Sequence, residues 1–301
     1  MCNFWCLQEM TSNAQNSNGF CHDPDSHIEE PEEVEIPVPW GHISGRWWGP
    51  RTKQPILCLH GWQDNAGTFD TLAPLLRAAG HTLLALDMMG HGRSSHYPKG
   101  QMYFLYWDGV MLVRRVCQHF GWDKVSKLIS IDIVGPVIRS EEKTVTETGS
   151  MIDKVLDYER KLEKNIPSYM MEDVIDIVMD AYRGSLTRES CKILLKRGVV
   201  TSEDGKGIHF ARDPRLKVAG FGSLAAPLVL QYASQIRCEV LNIKGKQGTA
   251  FDSEEQYHKV LDAVRASAKR LEFHEVEGTH HLHLNNPENA SPIIHNFLQR
   301  E

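Results

Sequence analysis

The stretch Val276-Glu277-Gly278-Thr279-His280-His281-Leu282-His283 gathers three imidazoles within four positions near the carboxyl end of the chain. An imidazole in such a loop can take a proton from an attacking hydroxyl as a general base, or it can ligate a metal. The pattern argues against a metal: His280 and His283 share one loop, no H-E-x-x-H spacing is present, and no carboxylate is spaced as their co-ligand. Two other stretches carry chemistry in their backbone. His60-Gly61-Trp62 closes an apolar run, where an exposed N–H can face a developing oxyanion. Asp87-Met88-Met89-Gly90-His91-Gly92-Arg93-Ser94 follows another such run, and its two glycines allow a tight chain reversal.

The elements that must hold these loops are readable from hydrophobic periodicity. Val34, Ile36, Val38 and Trp40 alternate with polar or Pro positions ahead of residues 41–50, which predicts a hairpin of two antiparallel strands. Residues 55–61 and 81–90 are short apolar runs closed by Gly around a helix-period segment from Phe69 to Ala79, the pattern of a parallel β-α-β unit. A second helix is expected from Phe104 to Phe120, with Val110, Leu112, Val113, Val116, Cys117 and Phe120 toward one side. A third buried strand ends at Asp132. Residues 137–235 lack strand patterns and carry helical stripes, Ile152-Val155-Leu156-Tyr158-Leu162 and Val174-Ile175-Val178-Met179-Tyr182, so they read as a helical insertion. Strands return at 238–245 and 271–278 around a helix from Glu254 to Ala266, followed by an amphipathic helix from Pro292 to Gln299. The fold class is α/β, a mostly parallel central sheet flanked by helices.

Length and composition narrow the function classes. At 301 residues the chain can bury one large domain with a substantial insertion. A formal net charge of −6 leaves no electrostatic footprint for nucleic acid, and no apolar run is long enough for a membrane span. Seven cysteines, an odd number scattered without metal spacing, read as reduced thiols. Residues 1–33 are rich in Asn, Ser, Asp and Glu, a composition expected to remain a disordered tail. The amino end lacks the charged and apolar regions of a secretory signal, and Gln299-Arg300-Glu301 is not a peroxisomal address, so a cytoplasmic or organelle-lumen setting is expected, the cytoplasm first. The expected organisation is a tail (1–33), a first core half (34–136), a helical cap (137–235) and a second core half (236–301).

Together the three motifs resemble the α/β-hydrolase superfamily. The wording HGWxDN at residues 60–65, with GxHHxHxxxPE at 278–288, is similar to the animal serine hydrolase-like proteins of the kraken type. This resemblance runs from about residue 34 to residue 300. It implies hydrolysis of an ester or related small-molecule acyl substrate through an acyl-enzyme, without a cofactor, and it admits a peroxisomal location. It also implies a Ser, Asp or Glu, and His triad, with the Ser in a G-x-S-x-G elbow between a strand and a helix. By that resemblance His280, at the family's spacing from Pro287, is the base, and Trp62 offers the first oxyanion N–H. The acid must reach one imidazole nitrogen from the end of an earlier strand. Asp252 is the first candidate, with a plain helix cap as its structural alternative, and Asp132 is the other candidate. The insertion becomes a lid, whose Tyr169, Met170, Met171, Met179 and Tyr182 either line an apolar pocket or pack helix faces.

The elbow itself is not in the sequence. Of 23 glycines, only Gly92 has a serine two places on, and Ser94 is followed by Ser95-His96 rather than x-Gly. Residues 121–136 read as a junction. Trp122-Asp123-Lys124-Val125 resembles the family's lead into the elbow strand, and Val125 to Asp132 resembles its lead into the next strand. An in-frame loss of about 30 residues, one strand–elbow–helix unit, accounts for both. With one central strand missing, the strand ending at Asp132 could slide into the vacant slot and keep a right-handed crossover, and the chain is expected to be poorly stable alone or to survive as a loosened fold. Ser94, Cys58 and Asp123 are not placed to approach the base within about 3 Å. Asp64, Asn65 and Thr68 are read as caps of the helix that begins near Thr68. The expected function is that of a serine hydrolase-like protein, truncated and inactive in this chain. The alternative is a pseudoenzyme that binds a small apolar ligand or a partner without turnover.

Overall fold

A computed structural model describes residues 30–101, 106–162, 167–218, 222–249 and 252–300, and the backbone of residues 5–8. The expected tail therefore lies outside the described residues at 1–4 and 9–29. Within it, Trp5–Gln8 forms a strand, β1. The hairpin follows as β2 (Glu32–Val38) and β3 (Gly41–Trp48), antiparallel with Ile36 opposite Ile43. Val34 and Ile36 face inward while Glu33 and Glu35 are exposed, the period of a strand with one wet face.

The next strands, β4 (Ile56–Leu59) and β5 (Leu83–Leu86), are buried at every position and pair in parallel. Helices on both sides explain the unbroken apolar runs. Ile56, Cys58, Leu83 and Ala85 pack on α1 (Leu72–Ala78) and α9 (Pro287–Gln299). Leu57, Leu59, Leu84 and Leu86 pack on α2 (Tyr106–Phe120) through Leu112 and Val116. β6 (Lys127–Ile131), β9 (Glu239–Gln247) and β10 (Arg270–Thr279) extend the sheet in parallel, with α7 (Glu254–Ser267) covering them. The eight strands run in the order β10-β9-β6-β1-β4-β5-β3-β2.

That order differs from the arrangement the sequence allowed. β6 does not move beside β4, and the central position is not empty. β1 stands between them, antiparallel to both, with Trp5 opposite Leu59 and Ser130, and Leu7 opposite Leu57 and Leu128. A strand in this position pairs the inner edges of β4 and β6, whose backbone groups would otherwise lie buried without partners. It also keeps the later elements from shifting by one strand spacing, about 4.8 Å, against their covering helices.

The insertion holds α3 (Glu141–Lys161), α4 (Met171–Ala181), α5 (Arg188–Gly198) and a 3-10 turn at Pro214–Lys217. It also holds a hairpin that the sequence did not announce, β7 (Val199–Thr201) and β8 (Ile208–Phe210). Three residues per strand are too few for alternation to register. α6 (Ala226–Ala233) lies inside the expected cap range, yet Val229 and Ala233 pack against β6, β9 and α7, so it covers the core sheet.

Candidate active site

β10 ends at Thr279, and the chain turns at once into α8 (Leu282–Asn285), which places His280 at the carboxyl edge of the sheet. His280 Nδ1 lies 2.7 Å from Asp132 Oδ2, with both side chains buried. An ionised carboxylate only accepts, so Nδ1 carries the proton and the chemistry of a base falls to Nε2. Asp132 follows β6 directly and sits at φ +59, a left-handed turn that swings its carboxylate toward β10. Its Oδ1 accepts the Gly245 N–H at 2.9 Å and its Oδ2 the Thr249 N–H at 3.2 Å, so the orienting group is itself held in place. Gly248 is required beside it, because a Cβ there would strike the Asp132 carboxylate.

Asp252, the first candidate for the acid, is not the partner of His280. Its Oδ1 accepts the Ile138 N–H at 3.1 Å, and burial raises its pKa. Asp252 and Asp132 both line one cleft of about 360 Å³, together with Lys244, Thr249 and Tyr257. The two carboxylates end neighbouring parallel strands, and the sequence could not say which one the histidine loop would meet.

Across the sheet, His60-Gly61-Trp62 leaves β4 as expected. Trp62 is partly buried, its indole donating to the Leu216 carbonyl at 3.0 Å, which aims the ring at the insertion. Gln63 takes φ +68, and its N–H donates to His91 Nε2 at 3.1 Å. His60 Nε2 accepts the Met88 N–H at 2.9 Å while its Nδ1 donates to the Gly61 carbonyl at 2.6 Å. Both rings are thus neutral tautomers; burial lowers the pKa of each, that of His91 to about 3. The turn after β5 closes on Asp87, which accepts the Ala66 and Arg93 N–H groups at 2.7 and 2.9 Å. Gly92, at φ +51, has no room for a Cβ against that carboxylate.

The other candidates are spent elsewhere. Ser94 Oγ donates to the Asp87 carbonyl and accepts the Ser44 N–H, so it stitches the turn to β3. Cys58 is buried in β4, and Asp123 follows α2 on the surface. Only Asn65 of the three expected caps behaves as one, accepting the Gly67 N–H at 2.9 Å. Thr68 Oγ1 meets His283 Nε2 at 2.8 Å. Asp64 accepts from His281 Nε2 at 3.2 Å and from the Tyr182 hydroxyl at 2.5 Å. Burial pushes the Asp64 pKa upward, but the His281 charge and these hydrogen bonds prevail and hold it at about 2. His281 and His283 therefore anchor the loop, and among the described residues no group of three or more His, Cys, Asp or Glu side chains could hold a metal.

Two residues of the insertion were missed as parts of this edge. Tyr182 latches the cap to Asp64. Arg197, from α5, donates to Asp87 Oδ2 at 2.6 Å, to Glu33 at 2.6 and 2.7 Å, and to Ser44 at 3.1 Å. No local pattern marks an arginine whose partner is more than a hundred positions away. Of the lid residues, Met170 and Met171 are exposed, whereas Tyr169, Met179 and Tyr182 pack on the α4–α5 cluster.

Comparison with known proteins agrees with this fold. The family model of the alpha/beta hydrolase fold matches residues 54–132. A probable serine hydrolase of Drosophila melanogaster is 42% identical over 94% of this chain and 93% of its own length. Serine hydrolase-like protein 2 of Homo sapiens is 31% identical, over 89% of this chain and 94% of its own. Among solved structures, a hypothetical protein of Pseudomonas aeruginosa PAO1 superimposes with a TM-score of 0.77 at 27% identity, covering 89% of this chain and all of that one. No helix among the described residues is long and apolar enough to cross a membrane. With its sheet order, its histidine and aspartate at the carboxyl edge and these relatives, the chain belongs to the α/β-hydrolase superfamily, among its serine hydrolase-like proteins.

Proposed function

We propose that this chain keeps the base, the acid and the ligand mouth of a serine hydrolase but performs no acyl transfer. His280 is the base, Asp132 rather than Asp252 its orienting acid, and Trp62 the first oxyanion donor. The observation that carries this reading is the strand in the centre of the sheet. An elbow serine needs a strand that runs parallel to β4 and β6, so that its carboxyl-terminal turn emerges beside Asp132 and Trp62. β1 runs the other way, and no G-x-S-x-G occurs in the sequence. An acid–base pair without a presented nucleophile cannot form an acyl-enzyme. The function that remains is the non-catalytic binding of a small acyl-type ligand between core and cap. Seven cysteines without a pairing pattern suit a reducing, cytoplasmic setting.

A fluorophosphonate probe, which reacts with activated serines, tests this directly. The 301-residue chain is expected to stay unlabelled while an intact serine hydrolase in the same tube is labelled. Stoichiometric labelling that disappears in His280→Ala would overturn the reading.

A further inference from the structure

The turn that carries Asp132 is held through its backbone as well as through its carboxylate. A residue with a side chain at φ +59 is costly, and it persists only where the surroundings fix the chain on both sides of it. On one side, the Asp132 N–H donates to the Ile243 carbonyl at 2.6 Å. On the other, the Ile133 carbonyl accepts from Asn242 Nδ2 at 2.6 Å and from the Ser130 hydroxyl. Ile133 and Asn242 are both buried, so water does not stand ready to replace a lost donor.

Asn242 stands in β9 opposite Ser130 of β6, and its amide can serve the turn only one way round. The carbonyl needs a donor, which sets Nδ2 toward Ile133 and leaves Oδ1 on the far side. There Oδ1 accepts the Tyr257 hydroxyl at 2.5 Å, so the phenol is the donor. Burial raises the Tyr257 pKa against the opposing pull of that hydrogen bond, and the Asp132 charge adds to the rise, so the phenol keeps its proton near neutral pH. Tyr257 comes from α7 and lines the same cleft as Asp132 and Ile133, with the Lys244 ammonium 4.7 Å from its ring centroid.

From this we infer that Tyr257 and Asn242 are positioning residues for the Asp132–His280 pair: the phenol orients the amide, the amide holds the Ile133 carbonyl, and the carbonyl fixes the turn that aims the Asp132 carboxylate at His280. Both act through the turn. Ser130 shares the carbonyl but not the amide, so it does not decide which way the Asn242 side chain faces. The inference rests on the contact between Asp132 and His280 and not on the lack of a nucleophile, so serine labelling would refute the inactive reading and leave the relay standing.

The experiment follows the low-field ring N–H proton of His280 by NMR, a signal set by the length and alignment of its hydrogen bond to Asp132. Wild type is expected to show it sharp. Tyr257→Phe, which removes one oxygen and keeps the ring, should broaden it beyond detection or move it upfield. Val264→Ala trims a buried side chain of the same helix without touching the hydroxyl, and it should keep the signal. A second measurement needs no variant: in wild type the Tyr257 hydroxyl proton should exchange slowly with water and give a cross-peak to the Asn242 side-chain amide. A His280 signal unchanged in Tyr257→Phe would overturn the inference. Loss of the signal in Val264→Ala as well would do the same, since it would mark a general loosening of α7, and so would a wild type without the hydroxyl cross-peak.

Discussion

At the ends of β4 and β5, His60 and His91 are set by the main chain, each accepting one backbone N–H and donating to one carbonyl. At the ends of β6 and β10, His280 is set by the carboxylate of Asp132. Burial does not separate the two halves, since His60, His91 and His280 are 4%, 3% and 2% exposed. The partner does. A carbonyl and an N–H reward a neutral ring of fixed tautomer, whereas a carboxylate stabilises the imidazolium that a base becomes. One half of this edge therefore holds its histidines against the main chain, and the other pairs its histidine with a carboxylate.

The largest effect expected from this contrast is at Arg197. Arg197→Met leaves Asp87 buried without its counter-ion, at a cost of about 3–5 kcal/mol in urea unfolding. A loss of under about 1 kcal/mol would mean that the β4–β5 half does not depend on the cap for its charge balance.

A smaller effect should come from acid. His60, His91 and His283 all have folded-state pKa values lowered by burial from the ordinary 6.5. The unfolded chain therefore takes up these protons first, and stability is full above pH 6.5 and falls below it. For His91, with a folded pKa of about 3, the loss reaches about 2 kcal/mol by pH 5 and grows until pH 3. Unfolding free energies measured from pH 8 to pH 5 should show this slope, and His91→Gln should reduce it. A flat profile would remove the strut role from these rings.

The last effect is at His280 and its partner. Asp132→Ala should cost about 1–3 kcal/mol, because the Gly245 and Thr249 N–H groups lose their acceptor. It should also abolish the low-field ring N–H proton resonance of His280, which Asp252→Asn should keep. The opposite pattern would return the acid's place to Asp252.

Much of this molecule is legible in its sequence. Unbroken apolar runs marked β4 and β5 as strands buried on both faces, and the G-x-H turn placed His280 at a strand end, because both signals are local. The carboxylate that meets His280 was not legible. Asp132 and Asp252 each follow a parallel strand, and the choice depends on a left-handed turn at Asp132 and on the space that Gly248 leaves for its carboxylate.

The occupant of the central slot was even less accessible. Trp5–Gln8 sits in a segment whose composition reads as a tail, and nothing in four residues says that they pair with β4 and β6. Periodicity and motif order are properties of neighbouring residues, and they were enough for the fold class and for placing His280 at the edge of the sheet. Ion pairs such as Asp87–Arg197, the carboxylate that meets His280 and the strand that fills the sheet depend on contacts between distant parts of the chain. Those contacts exist only once the layers have packed, because burial makes unpaired charges and unpaired backbone costly enough to select one arrangement.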